Sequence, residues 1–342
     1  MEQSGDYPLL TVIVPVLNME KTIRATLDSI MALKYPDENL EIIVVDGYSK
    51  DATRKIVSDY PVLLVDQEGN GLNAARNTGI KYSSGDFLAF TDGDCVVPPD
   101  WATKIMDNFE NPVTGFVGGT MKGYDKNSIL SNYMDESLFT ATPNFHFRIE
   151  TTRLKLLQFP AGANMTFRKR ALARVKFFDE NITYGFDDLQ PVEEMGFKGF
   201  RIILDPDVKI LHQHRSRFRE LMKQHFNYGR GGTLLMIHKR FSLLASWYAG
   251  YLIFTLSLIP IFAFLTYLGS KINHPLPFNI MEGFMGLLAT FVTLYYLPVA
   301  VNTGQLWKLL VYPVLDILRG VVFTLGGFYQ LVKSLSIKRE KG

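Results

Sequence analysis

Residues 87–101 read Phe-Leu-Ala-Phe-Thr-Asp-Gly-Asp-Cys-Val-Val-Pro-Pro-Asp-Trp. The run Phe87–Thr91 predicts a strand buried on both faces. It stops at Asp92-Gly93-Asp94. A triplet of this kind could be only a turn, since Asp and Gly favour turns. Two carboxylates flanking a glycine also suit a hard divalent cation. Mg2+ or Mn2+ takes one or two protein carboxylates and fills its other positions with diphosphate oxygens and water.

Working outward, the same pattern recurs upstream. Leu10–Val16 (LTVIVPV), Leu40–Val45 (LEIIVV) and Val62–Val65 (VLLV) read as strands. Between them, Lys21–Met31 places Ile23, Leu27 and Ile30 on one helical stripe. Ser49-Lys50-Asp51 caps a helix reaching about Ser58, and Gly71–Tyr82 reads as another helix. Strands and helices alternating over short links predict an α/β domain with a Rossmann-like, mostly parallel sheet. Ligands of such sheets bind beyond the carboxyl ends of the strands. The polar residues expected there are Asn18, Asp46, Asp92 and Asp94. Asp46 could serve a turn, or accept hydrogen bonds from a nucleobase or ribose. Arg76 could be a surface charge or could hold a nucleotide.

The chain carries 36 Lys plus Arg against 34 Asp plus Glu, a net charge of +2. That balance argues against nucleic acid as a partner. A hydrophobic share of 47% excludes a disordered chain. The single cysteine, Cys95, excludes a disulfide framework and a multi-cysteine zinc site. Only ten charged side chains lie beyond residue 240. Three apolar stretches stand there: 243–268, 284–301 and 309–332. A bilayer core needs about 20 apolar residues in helical form, so these predict membrane helices rather than core helices of a soluble protein. Tyr248, Tyr251 and Tyr267 fit interfacial belts. The third stretch contains Asp316 and Arg319, which share a helix face and could pair.

Two membrane topologies stay open. With residues 1–240 cytoplasmic and three spans, the basic tail Lys333, Lys338, Arg339 and Lys341 would lie outside, against the positive-inside tendency. Two spans plus an interfacial or re-entrant third helix would remove the conflict. Met1–Tyr7 is polar and acidic, unlike a signal peptide, so the soluble domain is expected in the cytoplasm. The expected organisation is an α/β domain over 1–214, a basic interfacial segment over 215–242 and a membrane domain over 243–342.

Four motifs in order resemble those of the GT-A-fold family 2 glycosyltransferases: VIVPVLN (12–18), VVDGYSKD (44–51), GLNAARNTGI (71–80) and FLAFTDGDCVVPPDW (87–101). Downstream, FPAGANMTFRKRAL (159–172) resembles the family's acceptor-side segment. YGFDDL (184–189), followed by KGFRI (198–202), resembles its general-base motif, and ILHQHR (210–215) its late histidine. The resemblance implies that Pro15, Asn18, Asp46, Arg76 and Asp92 bind a UDP- or GDP-sugar. It implies that Asp92, Asp94 and His212, with His214 second to it, hold Mg2+ or Mn2+. It places Asn164, Arg168 and Arg215 on the acceptor side and Asp188 or Asp187 as the catalytic base. The usual Glu-Asp pair reads Asp187-Asp188 here, and the Arg often found six residues after the base is Glu194, so the base stays open between the two.

The chemistry implied is inverting transfer of one sugar at C1. The metal stabilises the departing nucleoside diphosphate, and a carboxylate on the opposite face takes a hydroxyl acceptor's proton. A lipid phosphate acceptor is already anionic and needs little base help. The segment 215–240 carries Arg215, Arg217, Arg219, Lys223, Arg230, Lys239 and Arg240 against Glu220. It could lie on an anionic membrane surface, bind a lipid phosphate, or be ordinary flanking charge. The expected acceptor is polyprenyl or dolichyl phosphate or a lipid-linked oligosaccharide, at the cytoplasmic face of the cell membrane. QHFNYGRGG (224–232) lacks the Gln-x-x-Arg-Trp element of processive synthases, which favours single-sugar transfer. The rival readings are a processive polysaccharide synthase, an inactive membrane scaffold and a nucleotidyltransferase. The last needs a glycine-rich triphosphate loop after the first strand, and VPVLNMEKT has no glycine.

Overall fold

The computed structural model describes residues 7–138, 145–155, 159–239 and 241–340, with side chains through 336. Residues 1–6, Arg240, Lys341 and the side chains of Lys338 and Arg339 lie outside the described residues. The chain divides into two compact units: Met1–Ser131 with Ala141–His214, and Asn132–Thr140 with Arg215–Gly342.

The first unit opens with β1 (Leu10–Val16), α1 (Ile23–Met31), β2 (Leu40–Asp46), α2 (Thr53–Val57), β3 (Leu63–Asp66), α3 (Leu72–Tyr82) and β4 (Phe87–Phe90). These are the alternating elements expected from the sequence, with ends displaced by a few residues. The chain continues through β5 (Cys95–Val96), α4 (Trp101–Asp107), β6 (Thr114–Gly123) and α5 (Ile129–Glu136), whose last five residues belong to the second unit. Next come β7 (Ile149–Thr151), β8 (Met165–Arg168), α6 (Lys169–Arg174), α7 (Leu189–Phe197) and β9 (Arg201–His212).

One mixed sheet results, in the order β3-β2-β1-β4-β8-β6-β9-β5, with β7 beside β9. The four early strands pair in parallel. Beyond β4 the sheet turns: β8 runs antiparallel to both β4 and β6, β6 and β9 are parallel, and β5 and β7 are antiparallel to β9. Antiparallel neighbours need no helical crossover, so the strand–helix rhythm did not announce this half.

Local chemistry explains the packing. Ile23, Leu27 and Ile30 of α1 are fully buried in the core, each contributing about 1.5–3 kcal/mol. At Gly79 of α3 an added Cβ would run into Ile13, so the glycine lets the helix lie close on β1. Pro15 sits in a central strand but past the last β1–β4 pair, Ile13 with Phe90. Its missing N–H therefore leaves no gap in that ladder. Val16, Asp46 and Asp66 are in register, so the carboxyl ends of three strands finish level.

The second unit adds α8 (Phe218–His238), α9 (Leu243–Ile272), α10 (Leu276–Thr303) and α11 (Lys308–Glu340). Ser242 caps α9, its Oγ accepting from the Ala245 N–H at 3.0 Å. Asn273 and Gly304, both at positive φ, end α9 and α10. By length and composition, α9, α10 and α11 through Ser336 are each able to cross a bilayer, with mean hydropathies of 2.1, 1.8 and 1.7. They run longer than the uncharged stretches because each helix also absorbs its polar flanks. Asp316 and Arg319 pair at 3.6 Å on one face of α11.

Candidate active site

The carboxyl edge of the sheet gathers most of the expected residues. Asp92 and Asp94 follow β4 directly. The two-residue strand β5 then pairs Cys95 with His212 at the end of β9, and Gln213 N–H donates to the Asp94 carbonyl at 2.9 Å. That short antiparallel contact brings residues more than a hundred positions apart together. His212 Nε2 stands 3.4 Å from Asp94 Oδ1. Its Nδ1 stands 2.9 Å from Nδ1 of His214.

The donor set suits a divalent cation. Asp94, Cys95 and His212 present ligand atoms within 4.8 Å of one another. Burial, then the charges of Asp92 and Asp94, push the Cys95 thiol up, so it stays protonated and is a poor ligand. Burial, then the charge of Asp94, also raise Asp92, while Arg76 and His212 act the other way. A cation would relieve this crowding of negative charge. The Asp94 carboxylate and the His212 imidazole nitrogen match the hard-to-borderline preference of Mg2+ or Mn2+, and Asp92 lies near enough to act on both electrostatically.

Opposite them lies the loop before α7. The glycine-led helix α3 holds it: Asn73 Nδ2 donates to the Asp179 carbonyl at 2.9 Å, and Asn77 Nδ2 to the Phe178 carbonyl at 2.9 Å. Arg76 Nη1 donates to Asp187 Oδ2 at 2.7 Å and to Asn73 Oδ1 at 3.0 Å. Tyr184, Gly185 and Phe186 all have positive φ, a strained turn that sets up the two carboxylates. Asp188 is the N-cap residue of α7 but makes no side-chain cap bond. Burial, then the charge of Asp187, push it up to about 7, and Asp92 adds to the shift while Arg76 opposes it. The carboxylates of the donor edge and of this loop thus act on each other electrostatically.

The other expected residues sit in varied surroundings. Arg76 is 3% exposed and engaged by Asp187, so it braces the acidic loop. Asp46 is fully buried, accepting from Ser49 N–H at 3.1 Å and from Arg54 at 2.8 Å. Arg54 also bridges to Asp66. Asp46 thereby shapes the β2–α2 turn. Asn164 is not an open acceptor contact. Its Oδ1 accepts from Trp101 Nε1 and its Nδ2 donates to the Thr120 and Val208 carbonyls, all at 2.9 Å. Arg168 pairs with Phe87 at the far, amino end of β4. There it donates to the Thr114, Phe109 and Asn111 carbonyls and stacks over Phe87 and Phe109. Arg215 is exposed and belongs to the second unit. Pro15 is buried near the end of β1. Asn18, at φ 55, brackets the edge by accepting from Lys50 N–H at 2.7 Å.

Sequence reasoning did not single out Gly162. A Cβ there would collide with the Asp188 carboxylate, so only glycine lets that group sit against the 159–164 segment. It lies inside the 159–172 segment, but no pattern in the sequence tied it to Asp188.

Residues 11–176 match the family described as Glycosyl transferase family 2. The chain carries a family 2 glycosyltransferase domain. The enzyme is similar to Glycosyltransferase AglE of Haloferax volcanii, 28% identical over 247 residues, covering 70% of this chain and 78% of that protein. It is also similar to Poly-beta-1,6-N-acetyl-D-glucosamine synthase of Staphylococcus aureus (strain COL), 27% identical over 239 residues, covering 68% of this chain and 57% of the synthase. Among solved structures, Mannosyltransferase PcManGT from Pyrobaculum calidifontis, in complex with GDP-Man and Mn2+, matches with a TM-score of 0.62 at 21% identity, covering 88% of each chain. That likeness establishes a GT-A fold for this glycosyltransferase. The chain thus joins a family 2 glycosyltransferase domain to three C-terminal helices long and apolar enough to cross a membrane. The family match ends before Asp187, Asp188 and His212, so those residues rest on the geometry above.

Proposed function

We propose that this glycosyltransferase moves one sugar from a UDP- or GDP-sugar to a lipid-linked acceptor at the cytoplasmic face of the membrane, with inversion at C1. The reading rests on one observation: Asp92, beside Asp94 and His212 at the β4 and β9 ends, feels the Arg76–Asp187 pair and acts on Asp188 at the start of α7. That arrangement supplies two carboxylate sets with different tasks.

Asp92, Asp94 and His212 would hold Mg2+ or Mn2+, which offsets the charge developing on the departing diphosphate. His214 would orient His212 through the contact between their Nδ1 atoms. Asp188, with its raised proton affinity, takes the proton of a hydroxyl acceptor as its oxygen attacks C1. Asp187 pairs with Arg76 and fixes the loop. The exposed Arg215 and Arg217, just before the membrane-associated helices, suit an anionic lipid phosphate.

A second reading, a processive synthase, is favoured by the similarity to the staphylococcal poly-N-acetylglucosamine synthase. The deciding assay measures nucleoside diphosphate release from a panel of UDP- and GDP-sugars with polyprenyl phosphate, and the length of the product. One sugar per lipid is expected, and polymer would move the assignment to the second reading. Release should disappear in a folded Asp94→Ala variant. Undiminished release would remove the metal assignment.

A further inference from the structure

α11 is long and apolar enough to span, yet its contacts are those of a helix lying flat. Its polar face is turned into the protein. Lys308 donates to Glu136 at 2.7 Å and Tyr312 to the same carboxylate at 3.0 Å. Asp316 accepts from Tyr133 at 2.7 Å and from the Tyr296 hydroxyl. Arg319 donates to Tyr133 and Ser137, each at 2.9 Å, and to His225 at 2.8 Å. The opposite face, including Leu310, Val314, Ile317, Val321, Leu325 and Phe328, is apolar and exposed.

α11 runs alongside α8 in the same direction. His225 meets Arg319, Phe226 lies against Tyr329, and Arg230 donates to Gln330 at 3.1 Å. Thr233 donates to the Gly327 carbonyl at 3.0 Å. At the crossing, a Cβ on Gly229 would strike the Phe323 carbonyl, and one on Gly326 the Phe226 carbonyl, so the two backbones touch. α8 carries Arg219, Glu220, Lys223, Gln224, His225, Asn227 and Arg230 within twelve positions. Such a helix is costly inside hydrocarbon, and α11 shares its level.

The depth of α11 against the α9–α10 hairpin agrees. Tyr251 of α9 donates to the Gly320 carbonyl and meets Thr324, and Tyr248 packs on Phe323. Tyr248 and Tyr251 lie roughly 8–12 Å along α9, at 1.5 Å per residue. Gly320 and Thr324 lie roughly 18–24 Å along α11 by the same rise. A descending α11 would carry residues 320–327 beside the middle of α9. They meet its first turns instead. On α10 the partner is Tyr296, close to the carboxyl end of that helix and so at the same end of the hairpin.

We propose that the chain crosses the bilayer twice, through α9 and α10, and that α11 lies along the membrane surface beside α8 with its apolar face in the acyl boundary. The C-terminus then faces the same side as Arg215. The basic tail with Lys333 falls on the side that the positive-inside tendency prefers.

Impermeant maleimide labelling of the full-length protein in oriented membrane vesicles tests this. Cys95 is the sole native cysteine and is buried, so the parent protein is the blank. Ser216→Cys, His274→Cys, Lys333→Cys and Ser336→Cys replace exposed residues. The expected result is that Ser216→Cys, Lys333→Cys and Ser336→Cys react from one side and His274→Cys from the other. Reaction of Ser336→Cys and Lys333→Cys from the His274→Cys side overturns the proposal and establishes a third span. Reaction of Ser336→Cys only after detergent also overturns it, because that turn would lie within the bilayer.

Discussion

Asp187 accepts from Arg76 at 2.7 Å, while its neighbour Asp188 is pushed up to about 7 by burial and by the Asp187 charge, with Arg76 opposing the shift. The two carboxylates therefore differ in their surroundings although the motif presents them as a pair. A general base works best with its proton affinity near the working pH, which assigns that task to Asp188 in the proposed mechanism. The base must be ionised to accept a proton. With a hydroxyl acceptor, kcat/KM should therefore rise with pH through the neutral range, and a bound cation would draw the midpoint lower. Asp188→Asn should lower kcat by about 10²–10⁴ and remove that rise, with donor Kd unchanged. Steady-state rates across neutral pH, with donor binding measured separately, check both. An acceptor that is already an anionic phosphate should show no such rise.

At the level of elements, α3 acts as a brace. Asn73, Arg76 and Asn77 lie on one face and hold the chain from Phe178 to Asp187. Removing one partner of a buried pair leaves the other charge uncompensated. Asp187→Asn is accordingly expected to cost about 3–5 kcal/mol and to lower the thermal midpoint clearly. Asp188→Asn deletes a carboxylate whose ionised form burial already disfavours, so it should leave the midpoint unchanged or raised. Thermal melts of the two variants side by side check the contrast. The GLNAARNTG segment was recognisable as a helix, but its partner was not. The acidic loop lies a hundred residues away and shares no periodicity with it.

Across the whole molecule, β8 runs against both β4 and β6, so β9 runs with β4 and the two strands end on the same edge. The carboxylates after β4 and the histidine after β9 become neighbours through the short β5–β9 pairing. Chelation of divalent cations should therefore weaken nucleotide-sugar binding, and Mn2+ or Mg2+ should restore it. The Asp94→Ala protein should show neither effect. Calorimetric titration of donor, with and without chelator, reads this directly.

The alternation of β-branched runs and amphipathic stripes over residues 10–91 determined the first half of the sheet, because a buried parallel strand and its covering helix each carry a local pattern. The uncharged C-terminal stretches determined membrane association for the same reason, since hydropathy is read along the chain. Tertiary structure alone decided which polar residues remain available for chemistry. Arg168 and Asn164 look like ligand contacts in sequence, yet their hydrogen-bonding groups are taken up by backbone carbonyls and Trp101. It also decided that Arg76 pairs with Asp187, and that the polar stripe of α11 is buried against α5, α8 and α10. Hydrogen-bond saturation and burial depend on neighbours distant in the chain, and no local pattern encodes them.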